Sequence, residues 1–184
     1  MSSVPVSRRK PHGFITPHKL KELRNSVTEL AINDFGYDKD RLERKIEKFE
    51  ATVTNFERKD EIVASMRKKN ESFFSNFTEK ETDIVLDIVR KIIFEFEVGN
   101  SIQPTGEARV KEFRERRLHL DMAIGWLCCL KQELQYIAET LPGDKNRYCT
   151  TSDNIKELIG MVKGVRRDTN KYLKSRDNYK KGNL

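Results

Sequence analysis

From Arg109 to Tyr172 apolar residues recur at steps of three and four over two long stretches, and a chain patterned this way has to pack helices against helices. The first stretch carries Leu120, Ile124, Leu127, Leu130, Leu134, Ile137 and Leu141, the second Ile155, Leu158, Ile159, Val162 and Val165. Pro142-Gly143 separates them, a pair that stops one helix and frees the chain to turn. Each stretch also carries adjacent arginines, Arg116-Arg117 before the first stripe and Arg166-Arg167 after the second.

The remaining sequence fits the same class. Over 184 residues, 36% are hydrophobic and 35% charged, a balance suited to helices with heavily charged outer faces. The net charge of +7 raises the expectation of an anionic partner without proving one. Apolar runs are short and broken by charge, so no bilayer-spanning helix is expected. The basic N-terminus has no apolar segment behind it, so no secretory signal is read there. Cys128 and Cys129 are neighbours on a predicted helix and Cys149 stands alone, which argues against a disulfide framework and for a reducing, cytoplasmic setting.

The spacing predicts an all-α fold. Residues 1–15 read as a flexible basic tail, 16–175 as the helical domain and 176–184 as a disordered end. Thr16-Pro17 reads as a helix start, followed by Leu20, Leu23, Val27, Leu30 and Ala31, with an end near Asn33 to Gly36. Leu42, Ile46, Phe49, Val53 and Phe56 form a heptad-like seam in a second segment from about Asp38. Arg67 to Asn76 reads as a break, because Asn70, Ser72, Ser75 and Asn76 favour local turns. Thr78 and Glu81 then match a capping box, so a new helix is expected there, stopping by Gly99-Asn100. The next helix is expected from about Glu107 to Leu141, with its packed part beginning near Phe113. The last is capped by one of Thr150, Thr151, Ser152 or Asp153 and runs to about Leu173.

Catalytic chemistry finds no residue set. His12, His18 and His119 share no local motif with a nucleophile or acid, and Asp121 points away from His119 at a spacing of two on a helix. No CxxC, HExxH or acidic loop offers a metal site, and no glycine-rich phosphate loop follows a strand, so neither metal nor cofactor is expected. The basic residues are the candidates. Arg109, Lys111, Arg114, Arg116 and Arg117 crowd one helix entrance, interleaved with Glu107, Glu112 and Glu115. This cluster reads equally as a solvated face with ion pairs such as Glu112 with Arg116. Lys163, Arg166, Arg167, Lys171 and Lys174 are diluted only by Asp168, and Lys163, Arg167, Lys171 and Lys174 fall along one helical stripe. Arginine forks and lysine point charges of this kind suit phosphate oxygens. Gly160 and Gly164, four apart inside the last helix, point to a close helix approach, within the molecule or between subunits. Trp126 beside Leu127 and Leu130 reads as a core residue, with an interface anchor as the alternative.

From residue 78 onward the order of elements resembles the Avd family, the accessory variability determinants of diversity-generating retroelements. The residues that carry the resemblance are Glu97-Val98-Gly99-Asn100, Arg116-Arg117, Ala123-Ile124-Gly125 leading into Leu130-Lys131-Gln132-Glu133-Leu134, and Leu158-Ile159 followed by Lys163-Gly164-Val165-Arg166-Arg167-Asp168. The opening Met1 to Arg9, with Val4-Pro5, also looks like some members. Val165 stands where members often carry an aromatic, and the region near residues 38–76 is expanded here. The resemblance implies an antiparallel four-helix bundle, here with an extended N-terminal region. It also implies a homo-oligomeric ring, typically pentameric, that binds a reverse transcriptase and its template RNA and catalyses nothing itself. The rival expectation is a helical adaptor of a phage or mobile element, with a basic face that only solubilises.

Overall fold

The computed structural model describes residues 12–36, 39–52, 57–104, 109–141 and 144–181, with side chains placed from 15 to 169 apart from 34 and 39–42. The protein is all-helical, with no strand among the described residues: α1 (His12–Ile32), a 3-10 turn (Asp34–Gly36), α2 (Lys39–Thr52), α3 (Lys59–Ser101), α4 (Arg109–Thr140) and α5 (Arg147–Lys181). α1 packs on α3 and α5, α4 on α3 and α5, and α2 on α3. One apolar cluster joins α1, α3, α4 and α5. It includes Leu20, Leu23 and Val27 of α1, Val85, Ile92 and Phe96 of α3, Leu120, Leu127 and Ile137 of α4, and Ile155, Leu158 and Val162 of α5. These are the periodic positions of the sequence, because a stripe repeating at 3.6 residues has one side to bury.

Three boundaries differ from expectation. α1 begins at His12, so Pro17 is its sixth residue and not its first, and it withdraws one N–H from the helical ladder. The break expected over 67–76 is absent: α3 is continuous for 43 residues. Its span contains no proline, and no glycine before Gly99, while Ser75 Oγ donates back to the Glu71 carbonyl at 2.9 Å and Asn76 Nδ2 to Ser72 Oγ at 3.4 Å. Polar side chains that could have supported a turn instead bond within the helix. The capping box is therefore not one, since Thr78 and Glu81 sit in mid-helix and both are buried. α5 runs on to Lys181, past the expected end, and Thr150 to Asp153 lie inside its first turns. There Thr151 is buried and its hydroxyl meets Ser26 Oγ of α1 at 2.8 Å.

The end of α1 follows the sequence. Gly36 has φ +79, the left-handed conformation that glycine adopts freely. Phe35 shares it at φ 55, a strained state for a residue with a Cβ. Burial of its ring holds it there, together with the Tyr148 hydroxyl, which donates to the Phe35 carbonyl at 2.7 Å. Burial also pushes the Tyr148 phenol up to about 12. Of the heptad-like seam, Ile46 of α2 is buried and Phe49 is partly exposed, while the side chain of Leu42, and Val53 and Phe56, lie outside the described residues. Arg67 of α3 clasps α2 through Glu43 (2.7 Å) and Glu50 (3.3 Å). Pro142 and Gly143 also lie outside the described residues.

α3 and α4 run in opposite directions, because their pairings reverse order: Glu95 with His119, Glu81 with Glu133, Phe77 with Tyr136. Glu81 is 8% exposed and its carboxyl is held above the ordinary range, first by burial and then by repulsion from Glu133. An acid whose folded-state pKa is raised binds its proton more tightly folded than unfolded. Its contribution therefore declines as pH rises from the ordinary value of 4.5 towards the raised one. Glu81→Gln is expected to remove that decline and to stabilise the protein at pH 7 by about 1 kcal/mol, one net hydrogen bond. Urea unfolding at pH 7 and pH 4 checks this, since the gain should vanish at the lower pH.

Candidate nucleic-acid interface

The two arginine doublets are 49 residues apart in sequence and adjacent in space. Where α4 packs on α5, Asp121 lies between them. Arg166 Nε of α5 sits 2.8 Å from Asp121 Oδ1, and Arg117 Nε, one turn back on α4, sits 3.7 Å from Oδ2. The Arg166 Nε is enclosed and lacks a hydrogen-bonding alignment, so it meets Asp121 as a charge. One carboxylate cannot neutralise two guanidinium groups, and the pair keeps a net positive charge at the α4–α5 junction. All three side chains are partly open to solvent, so the cluster's worth to stability is small and screened by salt.

The other candidates spread outwards from this junction. Arg116 is half-buried and Nη1 donates to the Ile102 carbonyl at 2.8 Å, tying α4 to the chain that leaves α3. That bond turns part of Arg116 into a structural group. Lys111 and Arg114 are exposed on the first turns of α4, and Arg109 is half-exposed at its start. On α5, Lys163 and Arg167 are exposed along one side, and Arg167 Nε donates weakly to the Lys163 carbonyl at 3.4 Å. Lys171 and Lys174 continue α5, with side chains outside the described residues. The structure thus gathers Arg117, Lys163, Arg166 and Arg167 near one helix junction and assigns Arg116 partly to packing.

Sequence reading missed Asp121 as the hub. Its spacing of four from Arg117 was a visible signal, whereas its contact with Arg166 exists only in three dimensions. It also missed the partner of His119, whose Nδ1 lies 2.6 Å from Glu95 Oε2 across the α3–α4 seam. Among the described residues no group of three His, Cys, Asp or Glu is placed to hold a metal ion. Cys128, Cys129 and Cys149 are exposed free thiols, and no described helix is long and apolar enough to cross a membrane. Trp126 is only half-buried against the core, with Lys91 Nζ 4.7 Å from its ring centre. No protein-family profile, curated protein or solved structure matches this chain.

Proposed function

We propose that the protein is a nonenzymatic accessory factor that binds a reverse transcriptase and its template RNA and supports mutagenic cDNA synthesis in a diversity-generating retroelement. α1, α3, α4 and α5 form its antiparallel four-helix bundle, α2 is the extension, and copies assemble into a homo-oligomer, a pentamer by resemblance, in the cytoplasm. The observation that carries the reading is the meeting of Arg117 and Arg166 around the single carboxylate of Asp121, flanked by exposed Lys163 and Arg167. Cations drawn from two helices in this way keep an excess charge at fixed spacing, which suits a phosphate backbone. Exposed Phe94 of α3 and Leu118 and Met122 of α4 add apolar surface suited to a protein partner or a second copy.

Two charge reversals test the reading. Arg166→Glu with Arg167→Glu is expected to weaken RNA binding at low salt by about tenfold or more. The slope of log affinity against log salt should also fall by about 0.7 for each single-strand phosphate that is no longer neutralised. Lys163→Glu with Arg167→Glu should do the same from exposed positions that carry no packing. Gel shifts over a salt series, with a thermal melt of each variant, measure both. Unchanged RNA and polymerase binding by variants that melt like the parent would leave the adaptor reading, in which Phe94, Leu118 and Met122 dock a protein and the basic face only solubilises.

A further inference from the structure

At the end of the α3–α4 pair remote from Arg116, three aromatic rings form a continuous row, with the middle ring, Phe77, packed against the core and the two outer ones exposed. Phe73 and Phe77 of α3 stack at 5.6 Å with their planes 17° apart, and Phe77 meets Tyr136 of α4 at 5.9 Å and 53°. Phe73 is 58% and Tyr136 51% exposed, so each outer ring leaves a face open to solvent. An open groove of about 660 Å³ runs beside Phe73 and Phe77, lined by Lys68, Lys69, Asn76 and Lys80 among others, and the described residues of its lining include no carboxylate. Lys69 and Lys80 bracket the rings over roughly 16 Å of helix, at about 1.5 Å per residue. Among the described residues neither lysine has an ion-pair partner, unlike Arg117 and Arg166.

We propose that this face binds single-stranded nucleic acid. Bases would stack on the open faces of Phe73 and Tyr136, Lys68, Lys69 and Lys80 would neutralise the backbone, and Asn76 would offer a hydrogen bond. Stacking on aromatic rings needs no base identity, because every base has a π-face, and it demands an unpaired strand. The charge of the groove favours this occupant over a second helix, since its described lining offers three cations and no carboxylate, a set that suits a polyanion. The inference rests on the reading of the protein as an RNA binder and names the form of nucleic acid held and where. It places the single-strand platform at the opposite end of α4 from the arginine junction, so that one bound strand could span both.

Fluorescence anisotropy of the full-length protein with labelled oligouridylate, oligothymidylate and a duplex RNA of the same length tests it. Phe73→Ala with Tyr136→Ala is expected to weaken both single strands by about tenfold or more, with duplex binding held within about twofold. Phe73→Trp with Tyr136→Phe, which keep the rings, should retain affinity, and Lys69→Glu with Lys80→Glu should lower both affinity and salt slope. Oligouridylate and oligothymidylate weakened alike place the loss on the shared stacking chemistry, and a larger loss for one identifies the strand preferred. Single-strand binding unchanged in the alanine pair, while the Arg166 and Arg167 reversals abolish it, would overturn this inference and leave the proposed function standing. Parent protein that binds no nucleic acid would overturn both. A change in mass by light scattering, with nucleic-acid binding unaltered, would identify the face as a protein contact and overturn the inference too.

Discussion

Phe96→Ala is expected to lower the free energy of unfolding by about 3–5 kcal/mol, the usual cost of removing a buried aromatic side chain. Phe96 is 1% exposed and belongs to the cluster shared by α1, α3, α4 and α5. Truncation strips away ring packing against several helices at once, and none of them can close the gap without moving the others. For a chain of this length each kcal/mol is worth about 2–4 °C, so the melting temperature should fall by about 10 °C. Urea titration checks the result, with the midpoint lowered and the slope unchanged if the folded state stays compact. A loss below about 1 kcal/mol would mean that the four helices do not share this core. Exposed Phe94, two residues away, is the control, and its alanine variant should change stability by no more than about 0.5 kcal/mol.

Gly99→Val is the second large effect. A Cβ at Gly99 would lie 3.2 Å from His119 Cβ, 3.3 Å from the Arg116 carbonyl oxygen and 3.3 Å from Leu120 Cγ. The carbonyl is backbone and cannot step aside, so a branched side chain has to push α3 away from α4. We expect a loss of about 2–3 kcal/mol from overpacking, partly offset by the better helix propensity of valine. The displaced turn of α4 carries Arg116 and Arg117, so a shift of that turn should also weaken the RNA binding proposed for Arg117. Gly160→Ala gives the opposite sign. No atom of the described residues lies within 4 Å of a Cβ built there or at Gly164, and each alanine should stabilise the protein by about 1 kcal/mol. Thermal melts of the two variants side by side would decide the matter, and a stabilised Gly99→Val would disprove the tight crossing. The close approach expected at Gly160 and Gly164 is thus absent among the described residues of the chain.

Gly99 also illustrates how the sequence misleads. Read along the chain, a glycine followed by asparagine looks like a helix stop, and α3 does end two residues later, at Ser101. Read across the fold, the same glycine is the point where two helices touch. Thr78 and Glu81 repeat the lesson, for a hydroxyl followed three residues later by Glu matches a capping box wherever it falls. Here both side chains face inwards, and Glu81 meets Glu133. His119 has no partner within its own helix and finds one in Glu95, 24 residues away.

The sequence alone determined the helical class, the bounds of α4 to within two residues, the left-handed end of α1 and the identity of most core positions. Those properties follow from rules acting within a turn or two: burial of a 3.6-residue stripe, and glycine's freedom at positive φ. Tertiary structure decided that α3 is unbroken, that Arg117 and Arg166 share Asp121, and that Phe73, Phe77 and Tyr136 form one row between two lysines. These depend on the register with which antiparallel helices slide past each other, and that register is set by side-chain packing between residues remote in sequence, which no local pattern encodes.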